Sequence, residues 1–282
     1  MVEGRLARAL IRIGTAITLV FLYVPLLMVV IYAFNKTRSG AWPPQLFSLH
    51  WFSVAWQDPT LRGALTTSLV AAACATSIAL VLGTLASFAV HKFSFFGRDT
   101  VSFILVLPIA LPGIVTALAL SSAVDQARGP TGLTFGLVAV ILGHATFCVV
   151  VVYNNVVARL RRTPGSWTEA SMDLGGDGPT TFMRITLPNL RTALIAGGLL
   201  AFGLSFDEIV VTKYLAGTTQ TLPLWIYNNL LRPFNRPIVN VVSLFVLLVS
   251  VIPIYIAQRL TGSAQSMASS STERAIDEAG PG

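Results

Sequence analysis

The stretch S-W-T-E-A-S-M-D-L-G-G-D-G-P-T-T-F-M-R-I-T-L-P, Ser166 to Pro188, is polar and strongly punctuated in a chain otherwise built of long apolar runs. Pro164 and Gly165 end the preceding run, and Ser166-x-x-Glu169 has the form of a reciprocal capping box, which predicts a helix capped by Ser166 and running through about Leu174. Gly175 and Gly176 permit the left-handed turn that stops this helix. Pro179 suits the first turn of a second short helix running to Leu187, and Pro188 is expected to break the chain before the next apolar segment. The prediction is a helix–turn–helix hairpin. Ala170, Ser171 and Gly175 give it a small-residue face that a helix or groove can approach, with Trp167, Met172 and Phe182 as apolar projections. Such a surface requires a partner, unless the loop packs on its own bundle.

The flanks decide the fold class. Of the 282 residues 54% are hydrophobic and 11% charged, against about 25% charged in soluble domains. Six runs reach the roughly 20 apolar residues that span a bilayer: approximately 13–34, 64–90, 101–123, 134–157, 190–212 and 238–260. Lipid offers backbone amides no partners, so each run is predicted helical, with Pro25, Pro108, Pro112 and Pro253 marking kinks or ends. The expected architecture is all-α: an integral membrane bundle of six transmembrane helices over 13–261, after a short N-terminus at 1–12. The run from Ile13 to Phe34 exceeds the roughly 7–15 residues of a signal-peptide core and no A-x-A site follows, so it is read as a retained span. The Ser-rich, aromatic-free tail at 262–282 is expected to be disordered.

Alternate loops carry 12 Lys and Arg on one side and 7 on the other, with Arg159, Arg161 and Arg162 directly at a span end. The positive-inside bias then puts both termini and the 158–190 loop, with its hairpin at 166–187, in the cytoplasm. The net charge of +7 reports this orientation rather than nucleic-acid binding. Cys74 and Cys148 lie inside apolar runs and read as small buried hydrophobes. No G-x-x-x-x-G-K-[ST] occurs, so any nucleotide must be held by another chain.

With these features in place, Glu169-Ala170-Ser171, three residues, Gly175, nine residues and Ile185-Thr186-Leu187-Pro188 resembles E-A-A-x3-G-x9-I-x-L-P, the signature of ABC importer inner-membrane permeases. The spacing matches throughout, and Ser171 replaces the second alanine by another small residue. The segments F-F-G-R-D, L-P-I-A-L-P-G-I-V-T-A-L-A-L, G-H-A-T-F-C-V-V-V-V-Y-N-N-V, L-P-N-L and L-S-F-D-E-I-V-V-T are similar to the spermidine/putrescine branch, in particular its second permease subunit. The likeness covers most of residues 10 to 260. It implies that the loop, with Ser166, Glu169, Ala170, Ser171, Asp173, Gly175, Ile185, Leu187 and Pro188, couples the bundle to a cytoplasmic ATPase. It further implies an assembly in the bacterial inner membrane: two ATPase subunits carrying ATP and Mg, a second homologous permease, an external substrate-binding protein and surrounding lipid. This chain is expected to bind no cofactor and to be no enzyme. The implied cargo is a polyamine or similar small organic cation moved by alternating access, or another small organic solute.

The fifth run is interrupted by Asp207 and Glu208. At 1.5 Å per residue Asp207 stands about 24 Å beyond Arg191, and an unpaired carboxylate at membrane depth costs on the order of 3 kcal/mol. Two readings stay open: the pair lines an aqueous cation path, with Asp207 better placed, or the helix ends early and the acids cap the next segment. Ala193, Gly197, Ala201 and Ser205 form a small-residue stripe expected to face another helix. His144 is expected to hydrogen-bond a neighbouring helix, Trp42, Trp51, Trp56 and Trp225 to sit at the membrane interface, and Asn228, Asn229 and Arg232 to face solvent. An ion-gradient transporter would need paired intramembrane charges in two related halves, and a membrane enzyme a catalytic cluster. The sequence shows neither.

Overall fold

The structure, a computed structural model, describes residues 5–38, 42–44, 46–252 and 255–256. The described elements are helices: α1 (Arg5–Ala33), α2 (His50–Gln57), α3 (Pro59–Lys92), α4 (Arg98–Ala110), α5 (Gly113–Thr131), α6 (Leu137–Arg162), α7 (Ser166–Asp173), α8 (Gly178–Thr181), α9 (Leu187–Phe206), α10 (Val210–Leu215) and α11 (Leu222–Leu230), then α12 (Arg236–Ile252). A π turn at Phe182–Thr186 joins α8 to α9, so Gly178–Phe206 runs as one 29-residue helix. Pro253 and the tail at 262–282 lie outside the described residues.

The all-α class is as expected; the count of six spans is not confirmed among the described residues. Among the described residues four helices are long and apolar enough to cross a membrane, and five if α4 and α5 form one broken span. The third run does not form one rod. It is bent by 108° between Ala110 and Gly113, because Pro112 removes a donor and drives Leu111 into the extended region, at φ −82° and ψ 148°. The fifth run also stops short, at Phe206, and resumes as α10. α12 reaches Ile252.

The chain divides into two compact units, Met1–Gly63 with Trp225–Leu248, and Ala64–Leu224 with Val249–Gly282. In the first, α1 leaves Phe21, Val20 and Ile17 exposed, a surface suited to lipid rather than water. The chain then pairs antiparallel with itself, Lys36 N–H donating to Leu46 O at 2.9 Å and Ser48 N–H to Phe34 O at 2.7 Å. The tryptophans divide unexpectedly. Trp51 and Trp225 are 5% and 3% exposed, their indole N–H groups bonded to Lys36 O and Thr60 Oγ1, so they form core rather than an interface belt. Trp42 and Trp56 are exposed. Asn229, expected in solvent, is buried and bonds Trp225 O and Asn235.

α6 is the centre of the second unit: Val140, His144, Cys148, Val152 and Val156 are essentially inaccessible. Valine is its commonest residue, and such stiff β-branched side chains pack a helix surrounded by others at little entropic cost. α9 lies along α6 with Ala193, Gly197, Ala201 and Ser205 all buried, as the small-residue stripe predicted. A Cβ added at Gly197 would sit 3.3 Å from Asn155 Cβ and 3.4 Å from Val152 Cα. Cys148 Sγ contacts Ala201 O at 3.3 Å across the same seam.

Candidate functional site

Two features stand at opposite ends of α9. At its start is the hairpin. α7 begins one residue earlier than expected: Gly165 is its N-cap with helical φ and ψ, and no side chain caps it, so the Ser166–Glu169 box does not form. Pro164 has already set the turn, and Trp167 and Thr168 N–H bond back to the carbonyls of Pro164 and Gly165. The stop is as predicted. Gly175 takes φ +81°, in the left-handed region, and Gly176 N–H donates to Ser171 O at 2.9 Å. A Cβ at Gly176 would fall 2.7 Å from Ser171 Oγ.

Ser171, the departure from the signature, faces inward. Its Oγ lies 2.8 Å from Thr181 Oγ1 and fastens α7 to α8. Asp177 caps α8 by accepting from Thr180 N–H at 2.9 Å, and the Thr180 hydroxyl and amide together hold its carboxyl below the usual value. Glu169, Ala170, Asp173 and Gly175 are exposed. The apolar projections need correction. Phe182 turns inward and packs edge-on against Phe88, centroids 5.2 Å apart, whereas Leu174, 90% exposed, and Met183 join Trp167 and Met172 at the surface. Leu174 was legible as an apolar residue next to the glycine stop, but its direction depended on the turn.

Pro188 does not break the chain. It stands at the start of α9 inside the continuous Gly178–Phe206 helix, where its missing N–H is accommodated because the preceding turn widens and Leu187 N–H reaches Phe182 O, five residues back. Ile185 and Leu187 are half-buried, and Asn189 Nδ2 donates to Ile185 O at 2.8 Å. Arg159 Nε donates to Asn189 O at 3.0 Å, tying the end of α6 to the start of α9. A cavity of about 230 Å³ lies beneath the hairpin, lined by Phe88, Leu160, Trp167, Met172 and Phe182 among others.

At the far end of α9 is the acidic turn. Asp207 is the C-cap, its N–H bonded to Gly203 O, and its side chain is exposed. Glu208 is half-buried, and its Oε1 accepts from Val210 N–H at 2.7 Å and Val211 N–H at 3.0 Å. The early helix end and the capping role are thus what Glu208 adopts, while Asp207 is the more exposed of the two. His144 bonds neighbouring helices as expected, reaching Ser205 on α9 and Thr212 on α10. A second cavity, about 670 Å³, runs along α3 and α9 between Leu80, Thr84, Leu194 and Phe202. Among the described residues no group of three or more His, Cys, Asp or Glu could hold a metal.

Residues 79–263 match the family described as binding-protein-dependent transport system inner membrane component. The chain is 34% identical over 232 residues to the putrescine transport system permease protein PotI of Escherichia coli K12, covering 80% of this chain and 82% of that one. It is 30% identical over 243 residues to the spermidine/putrescine transport system permease protein PotC of Haemophilus influenzae, covering 86% and 92%. Its backbone is similar to a chain of a bacterial alginate ABC transporter solved with an alginate-bound periplasmic protein, at TM-score 0.70 and 16% identity over 91% of this chain and 93% of that one. Helices, hairpin signature and relatives agree, and the chain belongs to the binding-protein-dependent inner-membrane component family, as a multi-pass permease subunit of an ABC importer.

Proposed function

We propose that this chain is one permease half of an ATP-driven polyamine importer, moving putrescine, spermidine or a similar small organic cation. The observation that carries this reading is the continuity of Gly178–Phe206: one helix joins the hairpin directly to the acidic turn, so displacement of one end is felt at the other. A docked ATPase dimer moves the hairpin through Glu169, Ala170, Asp173, Gly175 and the exposed Leu174. The π turn and α9 pass that movement on, and the path opens and closes by alternating access. ATP and Mg reside on the ATPase subunits, and this chain performs no covalent chemistry. The Lys and Arg bias puts hairpin and termini in the cytoplasm, which leaves the acidic turn toward the binding-protein side.

Cargo chemistry favours the acidic turn over the large cavity. A polyamine is a multiple cation, and the cavity along α3 and α9 offers it leucines, phenylalanine and threonine hydroxyls. That apolar groove suits a helix of the second permease. Asp207 supplies the exposed carboxylate, with Glu208 beside it. The test is putrescine uptake by the assembled transporter. Asp207→Asn is expected to lower uptake at limiting putrescine about tenfold, the loss of roughly 1.4 kcal/mol of interaction, with ATPase co-purification unchanged. Wild-type uptake in both Asp207→Asn and Glu208→Gln rejects the cation path, and full transport by a complex lacking any P-loop ATPase rejects the importer reading.

A further inference from the structure

His144 on α6 is 1% exposed and uses both ring nitrogens. Nδ1 lies 2.8 Å from Ser205 Oγ, on the last turn of α9, and Nε2 lies 2.8 Å from Thr212 Oγ1, on α10. One imidazole therefore bridges the two helices on either side of the break that carries Asp207 and Glu208. Thr212 sets the proton order. Its hydroxyl donates to Glu208 O at 2.8 Å, so toward His144 it accepts from Nε2–H, which leaves Nδ1 to accept from the Ser205 hydroxyl. Ser205 to His144 to Thr212 to the Glu208 carbonyl is one directed chain of three bonds ending on the acidic turn itself.

Packing at the neighbouring residue supports this placement independently. A Cβ on Gly143 would overlap Leu215 Cδ1 and stand 3.1 Å from Val211 Cγ1, so the absent side chain is what lets α10 approach α6 closely enough for Thr212 to reach His144. Ser205 and Thr212 are themselves buried, at 3% and 0% exposure, and the Phe147 ring lies against the imidazole, centroids 5.4 Å apart. Because all three side chains are buried, losing a bond of the clasp leaves a buried polar atom unsatisfied.

We propose that His144 is a positioning residue: by holding α9 and α10 together across the break, it sets where the Asp207 and Glu208 carboxylates stand. Its effect on cargo rests on the cation-path reading above; its effect on the geometry of the turn does not. A histidine needed for helix packing alone would be satisfied by one partner helix, and an apolar residue of equal size would replace it.

Two readouts in the assembled transporter separate these cases. The first is the labelling rate of Asp207→Cys by a small hydrophilic thiol reagent, in a background where Cys74 and Cys148 are alanine. The second is the putrescine concentration for half-maximal uptake, measured with Asp207 intact. His144→Ala is expected to change the labelling rate at least about threefold and to raise the half-saturating concentration about tenfold, with ATPase co-purification unchanged. Thr212→Val, which keeps shape and removes one hydroxyl, shifts both in the same direction by less. His144→Gln, whose amide can still reach Thr212, recovers part of the loss.

Wild-type labelling and half-saturation in His144→Ala, or in His144→Leu, overturn the proposal. Should His144→Ala fail to assemble, Ser205→Ala and Thr212→Val carry the test, and wild-type values in both overturn it equally. If labelling at 207 shifts in His144→Ala while Asp207→Asn and Glu208→Gln transport normally, the positioning role stands and the cation path falls.

Discussion

The two ends of α9 are held by opposite means. Within the hairpin the side-chain bonds are short in sequence, Ser171 to Thr181 spanning 10 residues and Asp177 to Thr180 spanning 3, while Arg159 to Asn189 O, 30 residues apart, ties its base to α6. The surface there is largely exposed, Leu174 and Met183 included. At the acidic end the bonds are long in sequence, 61 residues from His144 to Ser205 and 68 to Thr212, and all three side chains are buried. A locally tied, exposed element can move as a body when a partner grips it. An end tied by a distant buried helix stays in register with the bundle, and the difference suits one helix to receive movement at one end and express it at the other.

The largest expected effect breaks the buried end. Gly143→Val puts a branched side chain where Leu215 and Val211 already stand, an overpacking worth about 1–3 kcal/mol or more. Thermal unfolding of the purified complex should show a lowered midpoint, with uptake lost as α10 separates from α6. An unchanged midpoint would show that α10 is not seated against α6, and the contrast between the two ends would fail.

A smaller effect is expected at the hairpin. Gly175→Val forces a β-branched residue into φ +81°, costing roughly 1–2 kcal/mol, and should loosen ATPase co-purification while leaving the unfolding midpoint of the membrane part near wild type. If stability falls with it, the hairpin is not locally held.

The smallest effect concerns the α8 cap and depends on pH. Because Thr180 holds the Asp177 carboxyl below its usual value, the cap stabilises fully above the unfolded carboxyl value of about 3.9 and its contribution disappears as pH falls through the folded value. Asp177→Ala should therefore speed hydrogen exchange of the Thr180 amide at neutral pH, with the difference from wild type shrinking in acid. Asp177→Asn, also a good cap, should stay near wild type; exchange equal in all three at neutral pH would remove the cap from the hairpin's ties.

Legibility divided along the same line. The hairpin, its Gly175 stop, Pro179 in the second arm and the stripe on α9 were all readable, because glycine, proline and small residues act within a few positions of themselves. Local rules failed where neighbouring turns competed. Pro164 and Gly165 began α7 before Ser166 could cap it, and a widened turn absorbed Pro188. The 108° break at Leu111-Pro112 was visible as a proline, though its angle was not. Trp51 and Trp225, expected at an interface, are core because their indoles found Lys36 O and Thr60 Oγ1.

By itself the sequence determined an all-helical membrane chain, a hairpin with the signature spacing of an importer permease, and an acidic pair interrupting an apolar run. Composition, periodicity and motif spacing each act along the chain, so one dimension contains them. The tertiary structure alone decided that the hairpin and the acidic pair lie at the two ends of one helix, that Glu208 caps α10 while Asp207 is exposed, and that His144 reaches across the break between them. The continuity and the cap use bonds two to five residues long, from Leu187 N–H to Phe182 O and from Val210 and Val211 N–H to Glu208, whereas the His144 bridge joins residues 61 and 68 positions apart, brought together by the close approach that Gly143 and Gly197 permit. No local pattern encodes such a pairing until the helices have packed.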